Sequence, residues 1–234
     1  MATVVDTEML TAAPTPTTKE EYSRKFFSKQ ELRPEDRTDL TIEEAEALAD
    51  GRSFELIDGR MIFKMPDRKH SDIQDVLHGE LYLYFKQNPI GKAMPEFSLR
   101  FWPEKKRELR TPDIAVFLNE NLRSIEKYAT RAPDLAIEIA SDDDRASAVF
   151  GKARMYLEKG GRMVWIIFPS EKRVVVVTAT EWRWESNTLT CPEILPGFSI
   201  QVAEIFSSMA RKPFAAKKAS VKAKVNAKSR SRRK

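Results

Sequence analysis

Two carboxylates stand where a folded chain seldom tolerates them. Asp113 opens the apolar run DIAVFL, and Glu138 lies in the middle of DLAIEIA; both runs read as strands covered on both faces. A lone acid in such a strand is costly unless it is paired, hydrogen-bonded or bound to a cation. Strand alternation puts Asp113, Ala115 and Phe117 on one face, and Asp134, Ala136, Glu138 and Ala140 on one face of the later strand. The alanines leave room beside each acid for an ion and its waters, although alanine in a strand also suits close helix packing. Taken singly, Asp113 also reads as a turn residue at a strand start, and Glu138 as an ion-paired core acid.

Lys152 sharpens the pattern. It lies in a helix over residues 145–158 whose inward stripe otherwise runs Ala148, Val149, Met155, Tyr156, at a position where an apolar residue is expected. Lysine there could snorkel to the surface along its aliphatic stem. Two strand carboxylates with an inward lysine on the helix after the second strand nevertheless suit phosphodiester hydrolysis. The acids would hold Mg²⁺ or Mn²⁺, the ion would polarise phosphate and activate water, and the ammonium would orient that water or offset developing charge.

Other elements must position these groups. Thr41, followed by Glu43, Glu44 and the series Ala45, Leu48, Ala49, predicts a capped helix ending near Gly51. SFELI and RMIFK flank Asp58-Gly59, the chemistry of a type I′ hairpin turn. Ile73, Val76, Leu77, Leu81, Tyr84 and Phe85 recur at helical spacing over residues 70–87. Strands are expected over 96–102, 113–118, 134–140, 163–168 and 173–178. The expected fold class is α/β: a mixed central β-sheet flanked by helices, with an N-terminal hairpin and a disordered basic C-terminal tail.

At 41% hydrophobic residues the 234-residue chain can build a packed core, so wholesale disorder is excluded. No apolar run reaches 18 residues and the N-terminus lacks a secretory signal, so no membrane association and a cytoplasmic location are expected. One cysteine, Cys191, and two histidines, His70 and His78, cannot assemble a conventional closed zinc site. The net charge of +5 conceals an uneven distribution. Residues 1–37, a flexible segment by composition, carry 6 basic and 7 acidic side chains; the domain at 38–206 carries 23 and 28; the tail at 207–234 carries 11 and none. That tail, rich in Ala, Ser, Lys and Arg, cannot bury a core.

The chain resembles the Uma-two family, a bacterial branch of the PD-(D/E)XK restriction-endonuclease-like superfamily. The resemblance rests on FELIDGRM, the helix opened by His70, TPDIAVF, DLAIEIAS, GKARMYLEKGGRMVWIIFP and LPGFSIQVAEIF, in that order over residues 41–206. It implies a restriction-endonuclease-like core and a metal-dependent DNA endonuclease. Asp113 matches the Asp of the PD motif, Glu138 the acid of the next core strand, and Lys152 the lysine this branch carries on the following helix. The first two are then the Mg²⁺ or Mn²⁺ ligands. Glu55 matches the acid of the ELIDG hairpin. His70 matches a position often held by His, where it could help place phosphate or water, the alternative being a helix-start polar contact. Two departures stand out: the lysine expected two residues after the acid is Ala140, and Ser141 is followed not by Pro but by Asp142, Asp143 and Asp144, which read as a helix N-terminal cap.

DNA contacts are expected at Lys105, Lys106, Arg107 and Arg110, in a loop just before the Asp113 strand, where a solvated hairpin tip is the alternative. The tail offers Lys217, Lys218, Lys222, Lys224, Lys228, Arg230, Arg232 and Arg233 for salt-sensitive binding with little sequence preference, which would also suit a nucleoid-associated protein. The alternative function is a DNA-binding protein that keeps the nuclease fold without turnover. A homodimer would bring two sites together for a double-strand break.

Overall fold

The computed structural model describes residues 33–207. Thr41 opens the first helix, α1 (Ile42–Ala49), through a reciprocal capping box: its hydroxyl accepts the Glu44 N–H while the Glu44 carboxylate accepts the Thr41 N–H. The helix stops at Asp50, which adopts a left-handed conformation (φ 50°), one residue before the expected glycine. Strands β1 (Phe54–Ile57) and β2 (Arg60–Phe63) form the hairpin, with Asp58 and Gly59 both at positive φ (50° and 79°), as a type I′ turn requires. That turn fixes the register, pairing Ile57 with Arg60 and Glu55 with Ile62. Gly59 is also needed for space, because a Cβ there would lie 2.7 Å from the Thr38 carbonyl oxygen. Alternation buries Phe54 and Leu56 with Leu40, Ile42, Met61 and Leu109 in a small core beneath the hairpin.

Helix α2 (Arg68–Gln87) is capped by Asp67, whose carboxylate accepts the His70 N–H. Its apolar row Ile73, Leu77, Leu81, Phe85 packs on one face of a six-stranded sheet. That sheet is built from β3 (Gly91–Pro95), β4 (Ile114–Leu118), β5 (Leu135–Ile139), β6 (Met163–Phe168), β7 (Arg173–Val177) and β8 (Trp182–Glu185), in spatial order 3-4-5-6-7-8. Short helix α3 (Asn119–Leu122) follows β4, and α4 (Ala146–Glu158) is the crossover that makes β5 and β6 the parallel pair among otherwise antiparallel neighbours. The chain closes with the β9 (Thr188–Thr190) and β10 (Ser199–Gln201) pair and α5 (Val202–Ile205). This is the expected mixed α/β architecture with its N-terminal hairpin.

The two faces of the sheet carry separate cores. Ile114, Val116, Leu135, Ile137 and Ile139 face α2, while Ala115, Phe117, Ala136 and Ala140 face α4. Asp134, also on the α4 face, is used structurally, accepting hydrogen bonds from the Leu118 N–H and the Asn121 amide. Among the described residues no helix is long and apolar enough to cross a membrane.

Three local expectations are corrected. The edge strand is Gly91–Pro95, not 96–102: Glu96 turns to φ 48°, which breaks the pleat, and Leu99 is held only by isolated bridges to Arg110 and Ala129. A strand this short, with glycine at its start and proline at its end, lacks an alternating signature. The inward stripe of α4 is Val149, Ala153, Tyr156, with Ala148 exposed. Asp142, Asp143 and Asp144 do not cap α4, whose N-cap is Arg145 without a side-chain cap; Asp144 instead accepts the Ser141 N–H and Asp142 meets Ser170.

Cys191 is fully buried, and burial pushes its thiol up to about 12. At pH 8 only about one thiol in ten thousand would then be ionised. A thiol reagent should therefore leave the native protein unlabelled and react once per chain in denaturant, which absorbance titration measures directly.

Candidate active site

Asp113 sits immediately before β4, at the end of the sheet that both helical layers reach. Its two carboxylate oxygens are not equivalent. Oδ2 accepts the Ile139 N–H at 2.6 Å, tying the acid to β5, whereas Oδ1 meets the Lys64 ammonium at 2.5 Å and His70 Nε2 at 3.2 Å. The Asp113 carbonyl accepts the Gln74 amide from α2 at 2.9 Å. His70 therefore reaches the acid with Nε2, leaving its buried Nδ1 without a protein partner.

Glu138 projects from β5 toward α4, opposite to Ile137 and Ile139. Oε1 accepts the Tyr156 hydroxyl at 2.6 Å, and Oε2 lies 3.5 Å from Lys152 Nζ. Lys152 and Tyr156 are one helical turn apart and so share the inward side of α4. The same ammonium is 3.0 Å from Glu55 Oε2, and Glu55 Oε1 accepts the Thr111 N–H at 3.2 Å. Glu55 faces the site because β1 turns Phe54 and Leu56 into the hairpin core on its other side.

Three buried carboxylates thus share two ammonium groups. Burial raises the Asp113 carboxyl, but the Lys64 charge and the His70 hydrogen bond outweigh it and hold the group well below the usual carboxylate range. Burial dominates at Glu138 and pushes it up, against the opposing pull of Lys152 and Lys64. Lys152 and Lys64 lose hydration, yet the surrounding carboxylates hold both above the ordinary lysine value. Tyr156 is raised well above its usual value by burial and by Glu138, so it stays a phenol and donates. The arrangement pre-sets three acids, two ammonium groups and one imidazole in one cluster.

All five residues selected as catalytic from sequence, Glu55, His70, Asp113, Glu138 and Lys152, meet here. Sequence reasoning missed Lys64 and took Tyr156 for core. The hairpin held the signal for Lys64: a turn at Asp58-Gly59 opposes Ile62 to Glu55, and Lys64 shares the face of Ile62 two residues on. His78 is half-buried at a pocket of about 610 Å³ with Tyr82 and Phe97, away from this cluster, and Glu80 is solvent-exposed.

The basic segment divides. Lys105, Lys106 and Arg107 are exposed, whereas Arg110 turns inward, pairing with Glu108 at 2.8 Å and donating to the Leu56 carbonyl. The Lys106 and Arg107 carbonyls accept from Ile42 and Gly59, so this segment flanks the turn of the hairpin. That turn is about 10 Å along β1 from Glu55. Lys217, Lys218, Lys222, Lys224, Lys228, Arg230, Arg232 and Arg233 lie outside the described residues, as does the N-terminal segment before residue 33.

An open cleft of about 340 Å³ adjoins the cluster, lined by Met65, Pro66, His70, Ala140 and Ser141, with Lys69 and Asp142 3.6 Å apart at its rim. The profile of the Uma2 family, described as "Putative restriction endonuclease", matches residues 42–203, a span that includes every residue of the cluster. The chain belongs to the Uma2 family. No curated protein matches it. Among solved structures, this Uma2 chain is similar to "a putative nuclease belonging to DUF820 from Anabaena variabilis ATCC 29413", with 26% identity and a TM-score of 0.61, over 73% of this chain and 99% of that one. Both findings agree on a restriction-endonuclease-like nuclease.

Among the described residues of this Uma2 protein, no group of three or more His, Cys, Asp or Glu side chains is arranged to hold a metal ion. Two hard carboxylate oxygens, Asp113 Oδ1 and Glu138 Oε2, do face ammonium groups and not backbone donors. That donor set fits Mg²⁺ or Mn²⁺, because Mg²⁺ commonly takes only one or two carboxylates and keeps its remaining waters.

Proposed function

We propose that this Uma2 protein is a divalent-metal-dependent DNA endonuclease. The observation that carries the reading is the gathering of Asp113 and Glu138 in one cluster, each with one oxygen fixed by a protein donor and the other facing an ammonium, of which Lys152 bridges Glu138 and Glu55. Asp113 and Glu138 would hold Mg²⁺ or Mn²⁺, which when bound polarises phosphate and lowers the pKa of water. Lys152 holds the attacking water or offsets charge on the phosphate, Glu55 keeps that ammonium in place, and Tyr156 orients Glu138. His70, which meets Asp113 through Nε2, helps to place that acid and the water beside it. Lys105, Lys106 and Arg107 contact backbone phosphates, and the basic tail over 207–234 supplies nonspecific affinity. Double-strand breaks would need two copies, each cutting one strand. A cytoplasmic, DNA-associated protein is the matching location.

A second reading, a DNA-binding protein without turnover, is favoured by one observation: Lys64 neutralises Asp113 within the fold. Incubating the full chain with supercoiled plasmid and linear single-stranded DNA in Mg²⁺, Mn²⁺ or chelator separates the two. Nicking with metal and none with chelator is the expected result. DNA retarded at low salt with no product under any condition would establish the second reading. Truncation after Ser208 should remove most of the salt-sensitive affinity in either case, and unchanged retardation would show that the tail is not the anchor.

A further inference from the structure

Lys64 is the residue of this cluster for which hydrolysis has no assigned use. Its position is specific. Asp113 Oδ2 is committed to the Ile139 N–H, so Oδ1 is the oxygen left for a cation, and the Lys64 ammonium sits on it at 2.5 Å. The Lys64 side chain is 14% exposed and Asp113 4%, so the lysine is the more solvent-accessible member of the pair. Its backbone is anchored to the hairpin by the Lys64 N–H to the Ser53 carbonyl. The next two residues, Met65 and Pro66, line the open cleft. A four-carbon stem from that anchor lets the ammonium retract toward the cleft without moving β2.

We propose that Lys64 is a resident counter-ion of the metal site, seated on Asp113 Oδ1 until a divalent cation displaces it, so that this side chain sets the protein's affinity for metal. The inference rests on the nuclease reading and adds to it a control on when the site is loaded. An ammonium at this distance competes directly for the same lone pairs. The metal-free site keeps its buried acid compensated, and loading requires enough divalent cation to release the lysine.

The test is Mn²⁺ binding to the full chain at pH 7, followed by electron paramagnetic resonance of the free ion. Lys64→Met should bind Mn²⁺ at least about tenfold tighter than wild type, the scale on which a neighbouring charge changes a carboxylate's affinity for a cation. Lys64→Arg should remain within about threefold of wild type, because it restores the competing charge. Lys64→Gln keeps a donor to Oδ1 without charge and carries the same expectation as Met should the Met variant fail to fold. Uncharged variants that bind no tighter than a wild type that does bind would overturn the counter-ion role and leave the nuclease reading standing. No binding by wild type or either uncharged variant at millimolar Mn²⁺ would overturn both.

Discussion

Asp113→Asn should lower metal-dependent strand cleavage by about a thousandfold or more while leaving the fold in place, the scale lost when a group stabilising the transition state is removed. The substitution keeps the shape and one oxygen, which can still accept the Ile139 N–H. It removes the charge that would hold a divalent ion, and it turns an amide donor toward the Lys64 ammonium and the His70 ring. Plasmid nicking rates, with circular dichroism as the check on folding, decide the matter. A well-folded variant that cleaves at the wild-type rate would take Asp113 out of the mechanism.

Lys152→Met is expected to act on stability as well as on turnover. The wild-type ammonium compensates Glu55 and Glu138 together; without it two buried carboxylates face each other. Breaking a buried pair costs about 3 to 5 kcal/mol, and since the Lys152 side chain is 30% exposed, water recovers part of this, leaving about 2 to 3 kcal/mol at pH 7. The pH dependence has a definite sign. Burial raises Glu138 in the folded state above its unfolded value, so its unfavourable contribution is absent below the unfolded value and grows as pH rises through it. Removing Lys152 raises Glu138 further. The deficit of the variant should therefore shrink as pH is lowered from 7 toward 5, which urea unfolding midpoints of both proteins would show. A deficit that is the same at both pH values would mean that Lys152 does not compensate Glu138. Cleavage should fall by about a hundredfold or more with the loss of the bridging ammonium.

The candidate site was largely legible because its acids break local rules. Asp113 is a charged residue at the head of an apolar strand, Glu138 one within such a strand, and Lys152 one on the buried side of a helix; each conflict can be read within a window of seven or eight residues. The same holds for the elements that carry them. The Thr41 helix start, the Asp58-Gly59 turn and the four-residue apolar spacing of α2 are local signals, and each produced the element it announced. Hidden were contacts that need the assembled fold. Lys64 lies 49 residues from Asp113 and Glu55 lies 56 from Thr111, and no local periodicity encodes either encounter. Tyr156 was indistinguishable from a core aromatic until Glu138 was seen beside its hydroxyl. Arg110 reads as one more basic residue of KKRELR, yet Glu108 and the Leu56 carbonyl draw it inward.

The sequence by itself determined which residues would be buried against their nature, and hence the chemistry on offer, because alternation in strands and the 3.6-residue repeat of helices assign each side chain a face. Only the tertiary structure decided how those charges are paired. A buried carboxylate takes whichever donor the packing of distant elements brings within 3 Å, and here the hairpin delivers Lys64 to Asp113 while α4 delivers Lys152 to Glu55.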